Sequence, residues 1–239
     1  FASHGGHDLT PNLDKLASEG LELTQHYVAP VWIPTRAGFL TGRCWSRFGV
    51  TTPTNGLALP RETVTLAKAL GSCGYETCLI GKWHLGSKPE WGPNLFGFDH
   101  SYGSLAGGVT AWSHRYKKGQ FSVTWHRNGK LLEDEGHVTD LLADEAVNWI
   151  AARGEKPFFL YVPFTCPHSP FQGPEDYRPD PLPLDSPLWN QGQAPPFVYV
   201  AMIERMDACI GQLLEKLDSL RLAESTVVIF ASDNGGTGS

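Results

Sequence analysis

Three short stretches of this chain carry side chains that could act on an anion. They are Gly81-Lys82-Trp83-His84-Leu85-Gly86, Cys166-Pro167-His168-Ser169-Pro170 and Ser232-Asp233-Asn234-Gly235-Gly236. Lysine and histidine supply cations and donors where negative charge builds on oxygen, and histidine moves protons near neutral pH. Taken singly, each residue is ordinary. A lone His or Lys at a strand end caps or faces solvent, and Asp-Asn-Gly-Gly alone is a common turn composition. Each stretch, however, follows an apolar, strand-like run. In open α/β sheets ligands bind beyond the carboxyl ends of the strands, so Lys82, His84, His168, Asp233 and Asn234 are expected to meet at one edge.

The elements that must position these residues follow from apolar spacing. Residues 10–20 predict a short helix, with Thr10 at the N-cap, Pro11 at the first helical position and Gly20 closing it. A second helix is expected over 64–72 and a strand over 76–80, running into Gly81. Asn128-Gly129 within 123–132 is a strong hairpin signal. Val138, Leu142, Ala146, Trp149 and Ile150 recur at helical spacing, and 157–162 is a continuous apolar run that suits a strand buried on both faces. Residues 174–196, rich in Pro, Asp and Gln, read as a long surface loop of the kind that covers functional sites. Ile203, Met206, Ile210, Leu213, Leu217 and Leu220 form the stripe of an amphipathic helix, and 226–230 predicts a further buried strand. Alternating helix and strand argue for an α/β fold with a mainly parallel central sheet flanked by helices.

Composition narrows the function classes. Of 239 residues, 41% are hydrophobic and 18% charged, which excludes a disordered chain. The net charge of −6 argues against nucleic acid and anionic lipid as partners. No apolar run approaches the roughly 20 residues of a membrane span, and the N-terminus does not read as a signal peptide. The chain starts at Phe1 and stops at Ser239 in a glycine-rich turn, so it reads as cut at both ends. Five scattered cysteines, Cys44, Cys73, Cys78, Cys166 and Cys209, contain no Cys-x-x-Cys pair. That speaks against a zinc site and a complete disulfide framework.

At this point the residues resemble the sulfatase family, the formylglycine-dependent arylsulfatases of the alkaline-phosphatase-like superfamily. The resemblance lies in Thr10-Pro11-Asn12-Leu13-Asp14, in 34–43 (Pro34-Thr35-Arg36 through Thr41-Gly42-Arg43), in Gly74-Tyr75-Glu76-Thr77 with 81–86, in Pro167-His168-Ser169-Pro170 and in Ser232-Asp233-Asn234-Gly235. It implies that 1–239 is a catalytic domain truncated at both ends. It also implies hydrolysis of an aryl or carbohydrate sulfate ester by a hydrated formylglycine, with covalent catalysis at sulfur. Carried over by position, Arg36 holds the nucleophile, Lys82 the sulfate, His84 the second hydroxyl, and His168 the leaving oxygen or a sulfate oxygen. The family's divalent cation, usually Ca2+, takes hard oxygens, which suits Asp233 and the amide oxygen of Asn234. The implied partner is a sulfated small molecule or glycan. An exported, periplasmic or lysosomal location is implied by the family alone, and the pattern sets no oligomeric state.

One position departs from the family. Trp32 stands two residues before Pro34, where the resemblance requires the Cys that becomes formylglycine. An indole has no nucleophile and no oxygen for a metal, and its bulk is expected to occupy the space meant for sulfate. The chain as written is therefore expected not to turn over sulfate esters. One base separates a Cys codon from the Trp codon, which leaves a true replacement and a misread cysteine as two origins of Trp32. The family's further metal-binding aspartates are expected before Phe1, and Asp8 reads as a solvated loop acid. Ser104 and His114 read as loop structure, and His4, His7 and His26 as surface or packing residues. The alternative function is a non-catalytic relative that binds a sulfated glycan or a protein partner. A phosphatase or phosphonate hydrolase of the same superfamily lacks a nucleophile here, because Thr35 stands at the family's Ser position.

Overall fold

The computed structural model describes residues 9–117, 119, 121–175, 182, 186–190 and 192–235. Five strands, β1 (Glu76–Lys82), β2 (His100–Ser104), β3 (Trp125–Arg127), β4 (Lys130–Leu131) and β5 (Phe158–Tyr161), form one sheet in the order β4-β3-β2-β1-β5. β1 is parallel to both β2 and β5, whereas β2–β3 and β3–β4 are antiparallel. The helices are α1 (Pro11–Glu19), α2 (Trp32–Thr41), α3 (Leu66–Ser72), α4 (Val138–Ala152) and α5 (Pro196–Ser219). The α/β class with a mainly parallel sheet and flanking helices is thus what the chain forms.

Side-chain alternation places two cores on the two faces of β1. Leu79 packs with Ile33, Leu40, Trp83 and Phe96, while Cys78 and Ile80 pack with Tyr102, Trp125, Leu142 and Ala146. Successive strand residues point to opposite faces, so a strand covered on both sides reads as the unbroken apolar Cys78-Leu79-Ile80. The tight turn between β3 and β4 has positive φ at both Asn128 (49°) and Gly129 (76°), which is the demand of a type I′ hairpin and the reason Asn-Gly sits there.

Four expectations are corrected. Thr10 precedes α1 but makes no capping bond with its side chain. Instead the buried Asp207 of α5 accepts from the backbone N–H groups of Asn12 (3.1 Å) and Leu13 (2.8 Å), so the cap comes from across the fold. α5 starts at Pro196 rather than 203, because Pro196 fits the first turn of a helix where its missing N–H costs nothing. β5 is half-buried along its length rather than buried on both faces. Residues 226–230 are extended but pair with no strand among the described residues, and Val227 (84%) and Ile229 (75%) are exposed. Both β5 and 226–230 line a cavity of about 1620 Å3. α2 was not expected, since Pro34, Gly38 and Gly42 break its pattern. Its Pro34 lies in the first turn, and Gly42 closes it with φ 63° and a bond to the Gly38 carbonyl. Of the expected loop 174–196, residues 176–181, 183–185 and 191 lie outside the described residues, as do His4, His7, Asp8 and Gly236.

Candidate active site

The end of β1 is shaped by close approach. A Cβ on Gly81 (φ 141°) would lie 2.2 Å from the carbonyl oxygen of Pro163, so only glycine lets the strand end meet the segment that leads to His168. The Lys82 N–H donates to that same oxygen at 2.8 Å. Two residues on, His84 takes a left-handed backbone conformation (φ 56°), a local cost of order 1 kcal/mol or more for a non-glycine residue. The strand-loop-strand geometry thus draws the Lys82-Trp83-His84 turn and His168 together, as the Gly-Lys-x-His and Pro-His-Ser-Pro stretches imply.

Trp32, Arg36, Lys82, His84, His168, Asp233 and Asn234 all line the cavity described above. Trp32 begins α2 and lies in their midst. The Lys82 ammonium sits 4.6 Å from its ring centre, His84 stacks on it (6.0 Å, 16° between planes) and His168 meets it edge-on (5.2 Å, 74°). One helical turn on, Arg36 is 4% exposed and clasps Asp233, with Nε and Nη2 donating to Oδ2 at 3.0 and 2.9 Å, while its Nη1 donates to the Lys82 carbonyl. The expected position of the nucleophile is therefore surrounded by the residues expected to serve it.

The electrostatics are those of a site short of negative charge. Burial, then the Arg36 guanidinium, hold the Lys82 ammonium well below the usual lysine range, with Asp233 partly opposing them. Burial, Lys82, Arg36 and His168 push His84 down in the same way. Burial and Lys82 lower His168 to about 4. These shifts state that cationic forms are disfavoured here until an anion arrives. His168 Nδ1 faces the Ser169 carbonyl oxygen, which can only accept, so Nδ1 carries the proton and Nε2 offers its lone pair. Buried Trp32 Nε1 and His84 Nδ1 have no hydrogen-bond partner among the described residues.

The metal reading is met only in donor type. Asp233 and Asn234 are hard oxygen donors, but one Asp233 oxygen is held by Arg36 and Asn234 Nδ2 donates to the Gly235 carbonyl. Calcium takes six to eight oxygens, and no group of three or more His, Cys, Asp or Glu side chains gathers for a metal among the described residues.

Sequence reasoning passed over two features. Gly107 and Gly108 press on the two histidines: a Cβ on Gly107 would lie 2.8 Å from His84 Cε1 and 2.9 Å from Tyr116, and one on Gly108 2.1 Å from His168 Nδ1. Tyr116 completes the rim against His84 (6.5 Å), and its only sequence signal is the preceding glycine pair. Ser104, in register with Lys82 on β2, donates to the Ala106 carbonyl. His114 stacks on Trp125 and bonds the Gly136 carbonyl, a packing role.

The mainly parallel sheet with flanking helices is an α/β fold of the alkaline-phosphatase-like kind. The sulfatase profile matches residues 1–238, and the chain belongs to the sulfatase family. It is 32% identical to arylsulfatase J of Mus musculus over 98% of this chain and 40% of that protein, and 31% identical to N-acetylgalactosamine-6-sulfatase of Canis lupus familiaris over 95% and 45%. Among solved structures, Ps i-CgsB in complex with k-i-k-neocarrahexaose matches with a TM-score of 0.76 and 30% identity, covering 92% of this chain and 52% of that one. The chain thus spans about half the length of the relatives it matches.

Proposed function

We propose that the site is that of a sulfuric ester hydrolase acting on an aryl or carbohydrate sulfate, and that Trp32 leaves the chain as written without turnover. The observation that carries this reading is that Lys82, His84 and His168 close around residue 32, with Arg36 one helical turn further along α2 and bonded to Asp233 and the Lys82 carbonyl. The formylglycine that the family forms there supplies the attacking hydroxyl when present. For the rest, Lys82 and Arg36 set positive charge where sulfate oxygens lie, and ester binding favours their charged forms. His168, with Nδ1 committed to Ser169, would donate to the leaving oxygen through Nε2 once Nε2 has taken a proton from solvent, which the negative charge of a bound ester favours, and His84 faces the residue-32 side chain. Asp233 and the Asn234 amide oxygen are the ligands this chain offers to Ca2+. The named activities of arylsulfatase J and of N-acetylgalactosamine-6-sulfatase support both substrate types.

The test is the full-length protein carrying Trp32→Cys, coexpressed with a formylglycine-generating enzyme and assayed on a chromogenic aryl sulfate. Turnover that vanishes in the additional Lys82→Ala variant is expected; no turnover above that control refutes the assignment. Trp32 itself favours a second reading, a non-catalytic protein that binds a sulfated glycan or a protein partner on surface outside the space the indole fills. Calorimetry of the Trp32 chain with sulfated oligosaccharides tests its glycan form, and absence of binding counts against it.

A further inference from the structure

We propose that the Trp32 indole is a built-in plug: it occupies the oxyanion pocket between Lys82, His84 and His168, and keeps inorganic sulfate and sulfate esters out. This rests on the reading of the pocket above but concerns its accessibility rather than its chemistry. The indole's face takes the Lys82 ammonium at 4.6 Å, its plane covers His84 and its edge region meets His168, so it contacts each of the three groups that an oxyanion would engage. A ring held on its face by a cation and flanked by two further rings is pinned from three directions.

The pocket is chemically mismatched to its occupant. Indole accepts no hydrogen bond and offers one N–H, and here that N–H is buried without a partner among the described residues. His84, only 3% exposed, likewise keeps Nδ1 unpartnered. Buried polar atoms without partners are uncommon, and two on stacked rings mark a pocket whose donors are arranged for another occupant. A tetrahedral oxyanion, with several acceptor oxygens and negative charge, would accept from Lys82 and from the imidazoles, His168 donating through Nε2 once the anion has drawn a proton onto it. Ile33, Ala37 and Leu40 anchor α2 in the core, which fixes the backbone from which the indole projects.

The experiment is calorimetric titration with sodium sulfate, at constant ionic strength against chloride, on the parent chain, Trp32→Gly, Trp32→Cys without maturation, and Trp32→Gly with Lys82→Ala. Far-UV circular dichroism shows which variants are folded. The parent should show no saturable sulfate binding, and the folded single variants should bind at least tenfold more tightly. Added indole should weaken sulfate binding to Trp32→Gly by refilling the space, and Lys82→Ala should weaken it at least tenfold. The plug is overturned if the parent, which needs no substitution, binds sulfate within threefold of Trp32→Gly, or if a folded small-residue variant binds none. The two proposals separate cleanly. Sulfate binding by Trp32→Cys with no turnover after maturation leaves the plug standing and removes the hydrolase, whereas turnover together with parent binding does the reverse.

Discussion

Removing the Asp207 carboxylate tests how α1 is held. This side chain is 1% exposed and accepts from Asn12 N (3.1 Å), Asn12 Nδ2 (2.8 Å) and Leu13 N (2.8 Å), so one buried charge satisfies two free amides at the start of α1 and the side chain of Asn12. A hydrogen bond to a charged group contributes about 1.5–3 kcal/mol, and the helix dipole adds up to about 1. Because the three bonds share one acceptor and are not additive, Asp207→Ala should cost about 3–5 kcal/mol. Asp207→Asn, which keeps one acceptor oxygen, should cost roughly half of that. For a chain of this size 1 kcal/mol moves the midpoint by about 2–4 °C, so thermal unfolding of Asp207→Ala should fall by on the order of 10 °C, with the Asn variant between it and the parent. A loss under about 1 kcal/mol for Asp207→Ala in urea unfolding would refute the cross-fold cap and return the role to Thr10.

Gly108→Ala would drive a methyl into the His168 ring at 2.1 Å, so it should cost about 1–3 kcal/mol, whereas Gly154→Ala, with open space around it, should be neutral or slightly stabilising; paired melting curves check this. His126 is fully buried, and burial lowers its pKa to about 4. Its neutral form is favoured in the fold, so the unfolded chain takes up the proton first. Stability is therefore full above pH 6.5 and declines as pH falls from there through about 4, by up to about 1.4 kcal/mol per pH unit for this group. His126→Asn, whose amide oxygen can still accept from Gly129 N, should flatten that slope in denaturation curves taken between pH 4 and 7. Cys44 is exposed with a pKa lowered by its Ser46 bonds, while burial raises those of Cys78, Cys166 and Cys209. Maleimide should therefore label Cys44 first and the three inner thiols only on unfolding, as mass mapping would show.

What was legible in the sequence was whatever depended on short-range pattern. The run over 76–80 announced a strand and Asn128-Gly129 its hairpin, and Lys82, His84, His168, Asp233 and Asn234, picked out after apolar runs, line one cavity, whereas burial on both faces was expected of 157–162 and is found at 78–80. What escaped needed a partner far along the chain. The cap of α1 lies 195 positions away at Asp207, and no local signal distinguishes that residue from an ordinary helix-surface acid. α2 escaped because Pro34 and Gly38 lower helix propensity, yet burial of Ile33, Ala37 and Leu40 overrides it. Residues 226–230 misled in the opposite sense, since an apolar run signals burial without naming what will cover it.

The edge that β5 presents carries a practical consequence for handling the protein. Its outer backbone groups face the cavity, and Val227 and Ile229 stand exposed on the opposite bank. Open, apolar strand edges template intermolecular pairing. At high concentration the chain should therefore form sheet-rich assemblies, seen as light scattering that grows with concentration and binds thioflavin. A charged residue at position 229, as in Ile229→Lys, should suppress that association; because residue 229 lines the same cavity as Trp32, that form serves crystallisation and the parent serves calorimetry.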